Sequence, residues 1–316
     1  MLTGIHVPLI TPFTETGEVA AEVIEKLACH VLDQGASGLV ALGTTGEVVA
    51  LTPDERSRVI EICARVCADR RVPLTVGVTG NDTRSVAAAI EELPAGVSAA
   101  LLTVPYFLRP SERGVVAHFE ALAEETPVPL VIYHIPYRTG QAVSAATLRQ
   151  LGAHPMIAGV KYAAGGVDQD AIDLLGDLPE GFEVAGGDDA FVSPMLALGA
   201  SGGILASAHL ATDRFVELAG AWRAGDVARA RTLGSGLARL SAALFAEPNP
   251  AVVKGVLHAR GLIPTPDVRL PLLPATPEAV SRADAVARRI EASQADVVAR
   301  PVRPSQADVV AVHPGQ

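Results

Sequence analysis

"MIAGVKYAAGG", residues 156–166, sets an apolar run against a lysine and closes on a pair of glycines. Ile157 to Tyr162 has the length and the apolar character of a strand, with too few polar positions for one face to meet water. Such runs suit parallel strands covered by helices. The same grammar repeats outward in both directions. Apolar runs at 5–9, 38–42, 74–78, 100–104, 130–133, 182–185 and 203–207 alternate with helix-like stretches near 20–33, 53–69, 83–93, 112–124, 144–152, 167–176, 189–198 and 212–222. Eight strand-then-helix units predict an α/β fold, the closed (β/α)8 TIM barrel. An open doubly wound sheet would want a G-x-G-x-x-G turn after its first strand, where this chain reads "LITPFTETGE".

The barrel is expected over 1–224. Helical patterns at 226–246, 250–261 and 277–291 predict a C-terminal helical extension over 225–292. Beyond it "SQADVVA" occurs at 293–299 and again at 305–311 around a Pro/Arg linker, too few copies for a solenoid, and 293–316 reads as a disordered tail. A net charge of −10 argues against a nucleic-acid partner. Ala190 to Thr212 carries no charged side chain apart from His209, but its glycines, serines and proline break it into short elements, so it reads as soluble core rather than a membrane span. The N-terminus lacks a basic region before its apolar stretch, a poor signal peptide. The three cysteines, Cys29, Cys63 and Cys67, have no metal spacing and suit small buried residues of a reducing, cytoplasmic compartment.

Lys161 is the oddity. An ammonium in a buried strand is costly, and no acidic residue lies within five positions on either side. Of 25 basic residues only Lys26, Lys161 and Lys254 are lysines, so this chain uses arginine almost everywhere else. A strand lysine can snorkel or pair with a remote carboxylate. It can also serve as an amine whose pKa is lowered by burial, able to attack a carbonyl, which arginine cannot do. In a barrel of this kind the strand ends carry the site. Gly43-Thr44-Thr45-Gly46-Glu47 offers backbone and hydroxyl donors for a small anion. Tyr133 offers a phenol and Arg138 a fork that matches a carboxylate. All four tyrosines, Tyr106, Tyr133, Tyr137 and Tyr162, fall near the ends of strands four to six.

These stretches resemble the dihydrodipicolinate synthase / N-acetylneuraminate lyase family of class I, pyruvate-dependent aldolases. The matching segments are "GTTGE" at 43–47, "PYF-RP" at 105–110, "Y-IP-RTG" at 133–140, "GVK" at 159–161, "GGDDA" at 186–190 and "FAEPNPAVVKG" at 245–255. The resemblance runs from about residue 3 to 290. It implies a barrel with a helical extension, a homotetramer built as a dimer of dimers, and no metal or bound cofactor. It also implies roles: Lys161 as the Schiff-base lysine, Thr44 and Thr45 as donors to the pyruvate carboxylate, and Tyr133 as a proton shuttle with Thr45. Arg138 would grip the second substrate, and Gly187 and Ile204 would line the pocket. Arg138 and the Gly-Thr-Thr turn favour the synthase branch over the sialic-acid lyases. The expected reaction joins pyruvate to aspartate 4-semialdehyde. The alternatives are another pyruvate aldolase or dehydratase acting on a 2-keto-3-deoxy acid, and a non-catalytic paralogue that binds a keto acid.

Three positions depart from the family's pattern. Phe107 follows Tyr106 where the synthases carry a second tyrosine that reaches a neighbouring subunit's site. Tyr162 replaces an acidic residue after the lysine, and His134 an asparagine after Tyr133. Together they suggest an altered second-substrate half beside an intact pyruvate half.

Overall fold

Runs of Val, Ile, Leu and Ala, each stopped by glycine, proline or a polar turn, become eight parallel strands that close on themselves in chain order, β1 pairing with both β2 and β8. The computed structural model describes residues 1–298, and side chains through residue 292. The strands are β1 (Gly4–Pro8), β2 (Gly38–Ala41), β3 (Leu74–Val78), β4 (Ala99–Thr103), β5 (Leu130–His134), β6 (Ile157–Tyr162), β7 (Glu183–Gly186) and β8 (Gly202–Ile204). Around them run α1 (Ala21–Asp33), α2 (Pro53–Arg70), α3 (Thr83–Glu91), α4 (Glu112–Glu125), α5 (Pro136–Thr139), α6 (Ala145–Gly152), α7 (Gln169–Gly176), α8 (Val192–Ala197) and α9 (Ala208–Arg223). The expected TIM barrel is the observed fold.

Helix starts follow capping chemistry. Thr52 and Glu55 form a reciprocal capping box with Pro53 in the first turn of α2, and Asp82, Ser111, Ser144 and Asp168 cap α3, α4, α6 and α7. Leu2, Val40, Leu101, Val131, Tyr133 and Ile204 fill the inside of the barrel. The outer strand faces pack against the helices in two larger clusters. Ala190 to Thr212 resolves into a single-turn 3-10 helix ending at Phe191, α8, β8 and the start of α9, and no helix among the described residues is long and apolar enough to cross a membrane.

Two local expectations need correction, and one element went unforeseen. The eighth strand stops at Ile204 rather than Ser207, because Ser207 is taken as the cap of α9, which begins four residues before the expected 212 and kinks at Ala211. Arg138 rides on α5, a helix of one turn that the apolar periodicity could not reveal. After α10 (Val227–Leu244) and α11 (Ala251–Ala259), α12 (Pro277–Val298) continues past residue 293, since no glycine or proline interrupts it before Pro301. The remainder of the expected disordered tail lies outside the described residues. Leu237, Leu240 and Leu244 of α10, Val253 and Val256 of α11 and Ala283 of α12 join Phe215 and Leu218 of α9 in one core.

Candidate active site

The chain leaves β2 through two strained residues. Leu42 (φ 54°) and Glu47 (φ 55°) both occupy the left-handed region, and between them Thr44–Gly46 makes one 3-10 turn at the barrel mouth. Gly77 makes room for this: a Cβ there would lie 2.3 Å from the Leu42 carbonyl oxygen. The turn is fastened from outside. Thr11 Oγ1 donates to the Gly46 carbonyl at 2.8 Å, and the Asn249 amide donates to Thr45 Oγ1 at 2.9 Å. Glu47 is buried and accepts from Lys254 Nζ at 2.6 Å and from the Arg269 backbone N–H at 2.8 Å.

On the opposite wall Tyr133 and Lys161 stand side by side in the register of β5 and β6. Lys161 Nζ lies 4.3 Å from the centre of the Tyr133 ring, a cation–π distance. Gly187 is required here, since a Cβ would come within 2.9 Å of Lys161 Cγ and of the Ala163 methyl. Thr44, Thr45, Tyr133, Arg138, Lys161, Gly187 and Ile204 all line one narrow space. That space shares Thr44, Tyr133, Arg138 and Asn249 with a neighbouring cavity of about 360 Å³, walled by Val48, Val49, Tyr106 and Leu272.

Asp189 completes the wall, and Asp188 precedes it in the chain. Burial raises Asp188, partly offset by the Gly165 N–H, which donates to it at 2.6 Å, and by the charges of Lys161 and Arg138. Burial pushes Asp189 up to about 6, opposed by Ser207 and Lys161. No group of three or more His, Cys, Asp or Glu among the described residues is arranged to hold a metal. Cys63 and Cys67 are unpaired, and burial pushes both thiols up to about 12, so they are packing residues rather than nucleophiles.

The seven residues expected at the pyruvate and acceptor sites are therefore together. Tyr106 lines the larger cavity, but Phe107 does not: it is 85% exposed, at φ 68°, beside the exposed Leu108. The suggestion that His134 and Tyr162 alter the second-substrate half is wrong in this chain. Adjacent strand residues point to opposite faces, so with Tyr133 and Lys161 turned inward these two point out. They pack on each other with ring centres 5.0 Å apart, and the Tyr162 hydroxyl donates to Asp168, the cap of α7. Sequence reasoning gave no role to Asn249 or Asp189, although "FAEPNP" and "GGDDA" contained them.

The profile described as the dihydrodipicolinate synthetase family matches residues 1–290. The chain belongs to that family. Its members are class I, Schiff-base, pyruvate-dependent lyases. The chain is 37% identical over 274 residues to a 4-hydroxy-tetrahydrodipicolinate synthase 2 of Clostridium acetobutylicum, covering 86% of this chain and 95% of that one. It superposes with a TM-score of 0.88 on the 4-hydroxy-tetrahydrodipicolinate synthase of Methylacidiphilum fumariolicum SolV, at 30% identity over 94% of this chain and 99% of the other. A chloride-inhibited dihydrodipicolinate synthase of Acinetobacter baumannii, solved in complex with pyruvate, gives a TM-score of 0.86 at 34% identity, covering 91% and 99%. Lys161, Tyr133 and the Gly-Thr-Thr turn thus sit in a dihydrodipicolinate synthetase barrel, at the strand ends where such barrels do their chemistry.

Proposed function

We propose that this chain is a 4-hydroxy-tetrahydrodipicolinate synthase, condensing pyruvate with aspartate 4-semialdehyde through an imine on Lys161. The observation that carries the reading is a buried lysine that makes no salt bridge among the described residues, at a barrel mouth between Tyr133 and the Thr44–Thr45 turn. The neutral Nζ attacks C2 of pyruvate while its carboxylate rests on the donors of that turn. Tyr133 passes a proton to the carbinolamine oxygen, which leaves as water, and the C2–N bond becomes an iminium. Loss of a C3 proton gives an enamine, whose C3 forms the new bond to the aldehyde carbon of the acceptor. The aldehyde oxygen takes up a proton, and Arg138 holds the acceptor's carboxylate. Attack on C2 by the acceptor's amine or by water then frees Lys161. The same reading takes the enzyme as a cytoplasmic homotetramer working without metal or bound cofactor. The exposed Val49, Phe107, Leu108, Leu270 and Leu273 are its candidate contact residues.

Borohydride with pyruvate is expected to leave a stable mass adduct on the peptide holding Lys161, and Lys161→Arg to abolish it. An adduct that survives the substitution, or none in the wild type, sinks the mechanism. Phe107 supports a second reading, another pyruvate aldolase acting on a 2-keto-3-deoxy acid, because a C–H cannot pass a proton where the synthases place a phenol. Kinetics with aspartate 4-semialdehyde and a panel of aldehydes, in wild type and Phe107→Tyr, separate the two. A lost general acid–base partner costs about 10²–10⁴-fold, so a clear gain in the variant means that the relay was the missing part. Full wild-type synthase activity with no gain means that the relay is dispensable.

A further inference from the structure

The reaction as drawn gives no part to Asp189, a buried carboxyl beside Lys161. Asp189 opens the turn after β7, is 4% exposed, and lines the same narrow space as Lys161. Its Oδ2 accepts the Ser207 N–H at 2.5 Å, so the carboxylate is fixed between the ends of β7 and β8. Capping Ser207 does not require an acid. An asparagine oxygen would accept the same N–H without the cost of burying a charge. The acid has a counterpart inside the cavity, since the charge of Lys161 acts on it.

We propose that Asp189 is the through-space counter-ion of the Lys161 nitrogen, a positioning residue that favours the iminium over its neutral precursors. The inference rests on the imine chemistry proposed above. When Nζ bonds to C2 and the oxygen departs as water, one positive charge is fixed on nitrogen inside a low-dielectric pocket. A carboxylate across the cavity lowers the energy of that charge. It does so without a contact ion pair, which would hold the free amine protonated and occupy its hydrogens.

The ionisable groups around Asp189 are few. Lys161 faces it from β6, Asp188 precedes it in the chain, and Tyr133, Tyr137 and Arg138 line the same narrow space. α8 and β8 carry no ionisable side chain. α10 packs against the turn and buries only uncharged residues, Leu237 and Ser241 among them. From α9, His209 is held neutral by burial, its pKa lowered to about 4, with its ring bonded to the Ile10 N–H and the Ala206 carbonyl. Burial raises Asp188 as well, so a rise in imine formation with an inflection near pH 6 is assigned to Asp189 where Asp189→Asn removes it.

The test is the pH profile of pyruvate trapping by cyanoborohydride from pH 5 to 8, read by intact mass, in wild type and Asp189→Asn. Wild type is expected to rise through an inflection near 6. The variant should lack that inflection and trap roughly ten- to hundredfold more slowly at pH 8. Its melting temperature at pH 8 should hold or rise. Folding raises the pKa of this carboxylate, so the wild-type fold loses stability as pH climbs from the unfolded value through about 6, and asparagine escapes that loss. A wild-type profile flat across pH 6 overturns the proposal even if the variant fails to fold. So does an unchanged rate in the variant, or a rate loss matched by a fall in melting temperature, which would make Asp189 a structural cap. No trapping in wild type at any pH overturns the imine itself, a different failure.

Discussion

Two of the three lysines are buried, and they are buried differently. Lys254 is 0% exposed and forms a 2.6 Å ion pair with Glu47, its ammonium 4.1 Å from the centre of the Phe13 ring. Burial lowers its pKa and Glu47 pulls it back up. Lys161 is 7% exposed and makes no salt bridge among the described residues, only the aromatic contact with Tyr133. A lysine placed for structure has its charge answered in contact and its hydrogens spoken for. A lysine placed for chemistry needs a free lone pair, which a contact ion pair would take away. The pairing at Lys254 therefore argues for the chemistry at Lys161.

The comparison breaks if the two lysines respond alike to removal of the amine. Lys254→Met leaves the buried Glu47 carboxylate without its ion-pair partner and is expected to destabilise the fold by about 3–5 kcal/mol. Adding Glu47→Gln should recover most of that loss, because the orphaned charge rather than the missing amine carries the cost. Lys161→Met should leave the midpoint of urea unfolding unchanged or raised while abolishing pyruvate trapping. Equal loss of stability in both single variants would make Lys161 a structural lysine and remove the main support for the imine.

The C-terminal extension thereby gains a part in the site. Lys254 on α11, Asn249 just before it and Arg269 beyond it all fasten the turn that carries Thr44 and Thr45. Little of this was legible in the sequence. The strands were, because barrel strands buried on both faces leave continuous apolar runs between glycines and prolines, and 74–78 and 157–162 fell on their observed bounds. Lys161 was legible because a charge stood in such a run with no neighbour to answer it. Lys254 and Glu47 are separated by most of the chain, and only the closed barrel brings them together. His134 and Tyr162 were misread for the opposite reason. Their departure from the family's pattern beside Tyr133 and Lys161 suggested a change in the site, while the two-residue period of a strand sends them to its other face. The same period was available for the tyrosines: Tyr133 and Tyr162 sit one register step apart and face opposite ways.

The smallest expected effect extends the comparison from lysines to arginines. Arg269 is paired at both ends of its fork with Glu55, at 2.6 and 2.7 Å, and also reaches the Ala50 and Gly17 carbonyls, each at 2.9 Å. That pairing holds Glu55 down at about 2. Arg138 rides on α5 at the mouth, makes no salt bridge among the described residues, and lies 5.9 Å from the centre of the Tyr137 ring. By the same reasoning as for the lysines, the paired arginine is architecture, and Arg138, which makes no such ion pair among the described residues, is proposed to take a ligand's carboxylate. A charge-assisted hydrogen bond of this kind contributes roughly 1.5–3 kcal/mol. Arg138→Ala should therefore lower kcat/KM for the aldehyde acceptor by about ten- to 150-fold, with pyruvate trapping and the melting temperature close to wild type. Arg138→Lys should recover only part of the loss, since an ammonium cannot make the two parallel bonds of a guanidinium. If pyruvate trapping falls as far as acceptor use, Arg138 serves the first substrate or the fold, and its lack of a salt bridge among the described residues carries no information about the second.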